Sequence, residues 1–182
     1  MTPPEFSRPQ PLDRIGDSAR PVTIDANEAE RRALADRFGL RAVEALSATC
    51  GLHRDAQGVT VTGMVQAQVV QTCVVTGDAI PVSIEAPLAL RFVADDSTAT
   101  APEEIELSED ALDVIPFTGS AIDLGDAAAE TMALALDSFP RGPRADDALR
   151  KAGVLKEGEA GPFGALAGLR DALAGKPSAD TP

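Results

Sequence analysis

The side chains able to do chemistry are few and lie far apart in the sequence. His53 is the one histidine, and it falls at a predicted strand end beside Arg54 and Asp55. A histidine-dependent triad would have to be assembled around that ring alone, so a turn histidine satisfied by its surroundings is the plainer reading. Cys50 and Cys73, the two cysteines, sit on predicted strands, and neither carries a nucleophile signature nearby. A reducing intracellular setting keeps such residues as thiols, and they read as small buried hydrophobes, with a disulfide as the alternative. Carboxylates gather at Asp95, Asp96, Glu103, Glu104, Glu106, Glu109 and Asp110. Such a set is able to attract Ca²⁺ or Mg²⁺, but the spacing and central glycine of an EF-hand loop are missing, so no metal site is expected. Gly161-Pro162-Phe163-Gly164 lacks the lysine and hydroxyl that grip phosphate and Mg²⁺. Zinc-protease, nucleophile-elbow and dinucleotide signatures are missing too. The expectation is a protein that is not an enzyme, with no cofactor and no small-molecule substrate.

Charge narrows the classes further. Sixteen basic residues against twenty-nine acidic ones give a net charge of −13, and there is no Trp or Tyr. A surface of that sign repels polyphosphate, and aromatic platforms for stacked bases are scarce. Direct RNA contact would need a small local basic site, and the local concentration is Arg141, Arg144, Arg150 and Lys151. Residues 1–10 lack the apolar run of a signal peptide, and no stretch reaches the ~20 apolar residues of a membrane span. These features point to a cytoplasmic protein with no membrane contact.

Strands must position most of this chain. Val22 to Ile24 reads as a short strand, and Asp25 followed by Glu28 resembles a capping box opening a helix that runs to about Phe38, stopped at Gly39. Ala29, Ala33, Leu34 and Phe38 fall near its inner face. From Arg41 the period becomes two, with Ala42, Leu46, Ala48, Cys50 and Leu52 on one parity interrupted by Glu44. After a turn at 55–58, Val59, Val61, Gly63, Val65, Ala67, Val69, Gln71 and Cys73 share one face of a clear strand. Thr76-Gly77-Asp78 reverses the chain, which returns through Ile80, Val82, Ile84, Ala86, Leu88, Leu90 and Phe92. Pro81 and Pro87 have no ladder donor, so this strand should lie partly at a sheet edge or carry a bulge. Residues 112–117 and 121–124 flank Thr118-Gly119-Ser120 as a second hairpin. Asp123 or Asp126 then caps a helix reaching about Asp137, with Leu124, Ala128, Met132, Ala135 and Phe139 facing the sheet. The fold class is α+β: a mainly antiparallel sheet of long hairpins packed by two or three helices. The organisation expected is a flexible segment over 1–19, an α+β domain over 20–145, a linker with a short helix over 146–174, and a disordered tail over 175–182.

Four stretches resemble the bacterial YceD family, the large ribosomal RNA subunit accumulation proteins. They are Val69-Val70-Gln71-Thr72-Cys73-Val74-Val75-Thr76, Leu90-Arg91-Phe92-Val93, the run Ile122-Asp123-Leu124-Gly125-Asp126 leading through Glu130 to Phe139-Pro140-Arg141, and Pro162-Phe163-Gly164-Ala165-Leu166. Cys73, Asp123, Leu124, Gly125, Glu130, Phe139, Pro140, Pro162 and Phe163 are the positions that carry the family pattern. Many members have Cys-x-x-Cys at the hairpin, whereas Thr76 stands second here, and one thiolate is far short of four zinc ligands. The resemblance implies a non-enzymatic role in synthesis, processing or stability of large-subunit (23S) ribosomal RNA. Its partner would be ribosomal RNA or a large-subunit assembly protein. The alternative is an acidic adaptor unrelated to ribosomes, working through residues 95–110 or the terminal helix.

Overall fold

Period-two alternation between Ala42 and Ala94 dominates the structure as it does the sequence. A computed structural model describes residues 4–95 and 113–154. Its elements are β1 (Pro9–Pro11), a 3-10 turn (Leu12–Arg14), β2 (Arg20–Asp25), α1 (Glu28–Phe38), β3 (Ala42–Asp55), β4 (Gly58–Thr72), β5 (Ala79–Ala94), β6 (Asp113–Phe117), β7 (Ala121–Asp123), α2 (Leu124–Leu134) and α3 (Ala145–Lys151). Strands β2-β3-β4-β5-β6 form one sheet in that order, and β1 pairs with β7 in a second, two-stranded sheet. The pairings β2 to β5 are antiparallel and β6 joins β5 in parallel. The fold is α+β with a mostly antiparallel sheet. The described chain divides into two compact units, one of residues 4–72, 79–95 and 113–140, the other of residues 73–78 and 141–154.

The core of the first unit lies on one face of the large sheet. Val61, Val65 and Val69 of β4, Leu46, Cys50 and Leu52 of β3, and Ile84, Leu88 and Phe92 of β5 are all buried there. They form one cluster with Leu34 of α1 and Leu124, Ala128 and Met132 of α2. Each such aliphatic side chain contributes about 1.5–3 kcal/mol on leaving water, most of which chain ordering offsets. The other face carries Thr60, Thr62, Gln66, Gln68, Ser83 and Glu85 toward solvent. Beyond β5, β6 covers only Leu90 to Ala94, so among the described residues Ala79 to Ala89 form an outer edge. Pro81 and Pro87 stand on that edge, where a missing N–H costs no ladder bond.

Four expectations need correction. The capping box of α1 is built by Asn27 and Glu30, two residues later than Asp25 and Glu28: the Glu30 N–H donates to Asn27 Oδ1 at 3.0 Å and the Asn27 N–H to Glu30 Oε2 at 2.7 Å. Asp25 is held in β2 by its pairing with Ser47. In β3 a register shift between Val43 and Ala45 moves the buried parity from Val43 to Leu46, which is why Glu44 interrupts the pattern. Residues 113–123 are not a hairpin, because β6 pairs with β5 and β7 pairs with β1. Helix α2 stops at Leu134, its last turn tightened by bonds from the Leu136 N–H to the Ala133 carbonyl and the Ala135 N–H to the Met132 carbonyl. Asp137 then accepts the Phe139 N–H at 2.9 Å. Ala135 and Phe139 are therefore exposed, Phe139 at 73 %.

Candidate functional site

Most of the described positions that carry the family pattern or the basic segment fall in two constellations, one in each unit. The first is the start of α2. Asp123 precedes the helix in an extended conformation, and its Oδ1 accepts the N–H groups of Gly125 at 2.9 Å and Asp126 at 3.3 Å, satisfying donors that a helix start leaves open. The same oxygen accepts the Arg8 N–H at 2.7 Å, while Oδ2 accepts from Ser7 Oγ at 2.5 Å. One carboxylate thus fastens both the helix and the segment that leads into β1. Leu124 is wholly buried. Gly125 lies against the segment that leads into β1 so closely that a Cβ would stand 2.5 Å from the Phe6 carbonyl oxygen and 3.0 Å from the Arg8 nitrogen.

Charge pairs surround this start. Arg8 donates to both Glu30 oxygens, at 2.7 and 2.9 Å, with its guanidinium 4.6 Å from the centre of the Phe6 ring. The Arg8 hydrogen bonds hold the Glu30 carboxyl below its ordinary range, against the opposing effect of burial. Glu130 meets Arg37 at 3.7 Å, and Arg37 also reaches Asp126 at 3.1 Å and Glu5 at 2.9 Å. Arg8 and Arg37 carry no signal in the sequence, since their partners are brought close only by tertiary folding. Pro140 lines a cavity of about 310 Å³ with Phe38, Leu40 and Leu136. Beside them the buried Gln71 amide donates to the Asp137 carbonyl at 2.9 Å.

The second constellation is the hairpin tip, residues 73–78, with the segment that begins at Arg141. Cys73 and Asp78 close the tip through a backbone bond of 2.8 Å. The N–H groups of Thr76 and Gly142 both donate to Cys73 Sγ at 3.4 Å. Cys73 is only 2 % exposed, yet these donors, Gly142 foremost, lower its pKa to about 7. Cys50 has no such donors, and burial pushes its thiol upward. Both cysteines are free, which removes the disulfide alternative.

Thr76 ties the tip together instead of supplying a second thiol. Its Oγ1 donates to Asp78 Oδ2 at 2.7 Å, and that carboxylate takes both the Nε, at 3.0 Å, and a terminal nitrogen of Arg144. Arg150 reaches Asp147 at 3.6 Å within α3, while Arg141 and Lys151 are exposed. Thr76, Asp78, Arg144, Asp147, Ala148 and Lys151 line a cavity of about 310 Å³ with both signs of charge on its wall. The role of Asp78 as partner of Arg144 was not legible, because the two are 66 residues apart.

Among the described residues no three His, Cys, Asp or Glu side chains are placed to hold a metal ion. His53 is paired with Thr60 across the β3-β4 ladder, as a strand histidine. Pro162, Phe163, the acidic residues 96–110 and the predicted terminal helix lie outside the described residues. Among the described residues no helix is long and apolar enough to cross a membrane.

A mostly antiparallel α+β protein whose described residues at the α2 start and the hairpin tip cap, pack and tie is the class these two constellations define. The model of one protein family, described as large ribosomal RNA subunit accumulation protein YceD, matches residues 61–170. That match covers more than half of the chain, and the chain belongs to this family. No curated protein and no solved structure was found to match it.

Proposed function

We propose that the protein acts as a non-enzymatic factor in bacterial ribosome biogenesis, supporting the synthesis, processing or stability of 23S ribosomal RNA in the cytoplasm. The observation that carries this reading is the family match over residues 61–170. The chemistry of the motif residues supports it: Asp123, Leu124 and Gly125 serve the fold, and Cys73 is buried at a turn.

The contact surface we assign to RNA or an assembly protein is Arg141, Arg144, Arg150 and Lys151. Arg141 and Lys151 have no carboxylate partner among the described residues, and the Arg144 and Arg150 side chains are 75 % and 69 % exposed despite their partners. Exposed pairs of this kind are worth at most about 1 kcal/mol, so a phosphate or an acidic partner displaces them readily. Deleting the gene should lower mature large-subunit RNA relative to small-subunit RNA, and restoring it should return the ratio. An unchanged ratio removes the proposed function. Charge reversal at the four positions should abolish binding to the partner while the protein still melts cooperatively.

A further inference from the structure

The strongest unexplained feature lies at the opposite end of the sequence from the basic segment. Gln10, Arg14, Ile15, Arg20, Pro21, Val22 and Leu52 line a cavity of about 290 Å³, near the lower bound of about 300 Å³ for small-ligand sites. Two arginines stand on its wall and no carboxylate does. The other cavities contrast with it. That beside α1 mixes Arg31, Arg32 and Arg41 with Glu28, Asp36 and Glu44, and that at α3 sets Arg144 and Lys151 against Asp78 and Asp147. In a chain of net charge −13, a cavity whose charged wall residues are all cations stands apart from these.

The two cations on its wall also lack a carboxylate partner among the described residues. Among the described residues Arg14, Arg20 and Arg54 meet no carboxylate, and Asp55, beside Arg54 in sequence, is held by Arg91 through bonds of 2.8 and 2.6 Å. Asp13 and Asp17 flank Arg14 but do not line the cavity. The segment carrying Arg14 is pre-ordered. The Arg54 N–H donates to the Gly16 carbonyl at 2.9 Å, its guanidinium to the Leu12 carbonyl at 2.7 Å, and the Leu12 N–H to the Ser120 carbonyl at 2.9 Å. Arg20 is fixed opposite Leu52 in the β2-β3 ladder. The floor is apolar, with Ile15 and Leu52 buried and Val22 half-buried. A planar base rests well on such a floor, the Gln10 amide offers hydrogen bonds to its edge, and paired guanidinium forks match phosphate oxygens.

We propose that this cavity binds a nucleotide, Arg14 and Arg20 holding its phosphate and Ile15, Val22 and Leu52 receiving its base. An RNA strand as the source of that nucleotide rests on the function proposed above, while the site itself does not. The test uses the full chain with two probes, a labelled short single-stranded RNA followed by fluorescence anisotropy and a nucleoside monophosphate followed by NMR. R14E/R20E should weaken RNA binding about tenfold or more and reduce the slope of log affinity against log salt by about 0.7 for each phosphate no longer neutralised. Because both side chains are exposed, the variant should melt as the original does; R14Q/R20Q serves if it does not. Monophosphate binding abolished in the variant, with no RNA binding by either protein, upholds the site and removes RNA as its source. Undiminished binding of both probes by the variant, or binding of neither probe by the original, overturns the proposal. A normal ribosomal RNA ratio in the deletion strain, with RNA binding intact and dependent on Arg14 and Arg20, would sink the proposed function alone.

Discussion

The start of α2 and the hairpin tip both lie within the family match, yet they use their polar residues in opposite ways. At the helix start, Asp123 spends both oxygens on four donors from the helix and from the segment that leads into β1, and Gly125 admits that segment at a distance no side chain permits. At the tip, Asp78 holds an arginine whose side chain remains three-quarters exposed, and the cations of residues 141–151 face solvent. The family positions Asp123, Leu124 and Gly125 are therefore explained by folding. Function is better sought where charge is held but still accessible.

The comparison breaks most easily at Gly125. G125A forces a methyl against the Phe6 carbonyl and the Arg8 nitrogen, both backbone atoms that cannot rotate away. Such overpacking costs typically about 1–3 kcal/mol, and we expect the upper part of that range in urea unfolding. A change below about 0.5 kcal/mol would mean that residues 6–8 are not seated on α2. D123A should follow at about 1–2 kcal/mol, through loss of the cap together with the Arg8 and Ser7 anchors. D123N, which keeps one acceptor oxygen, should recover part of that loss.

How legible this was in the sequence depends on how local each cause is. Strands β4 and β5 can be read in full because one face must hide Val61, Val65, Ile84 and Leu88, and period two follows from that need. Asp123 is one of two caps the local spacing allows. The β3 bulge shows in the sequence only as Glu44 breaking the parity, and that one break does not tell a bulge from a single exposed side chain. Strand β7 takes the wrong partner in a sequence-based reading because its true one is Pro9–Pro11, a proline-bearing segment that gives no period-two signal and reads as flexible. Phe6, just before that segment, is nevertheless 1 % exposed, and the glycine at 125 has a reason only once Phe6 is in place. The Cys73 donor Gly142 and the Arg144 partner Asp78 are likewise products of tertiary structure.

A smaller effect separates the tip from the core by pH. Cys73 titrates at about 7 rather than near its ordinary 9.0, so the folded protein favours the thiolate. Its contribution is fully present above the ordinary value and is lost as pH falls through about 7. The melting temperature of the original protein minus that of C73S should therefore rise with pH between these values and level off above them. A flat difference would show that the Gly142 and Thr76 donors do not act on the thiolate. C50S should give no rise over the same window, since burial moves that thiol the other way.

The smallest effect belongs to Arg144, and it decides whether the tip is held for stability or kept available for a partner. Its guanidinium takes two bonds to Asp78, but with the side chain 75 % exposed the pair is screened by water and worth less than about 1 kcal/mol. R144A should thus shift urea unfolding by less than D123A does. D78A should cost more than R144A, because the same carboxylate also accepts the Thr76 hydroxyl that closes the turn. If R144A instead matched or exceeded D123A, the two regions would not differ in kind: Arg144 would be structural, and its place in a contact surface would have to pass to Arg141 and Lys151.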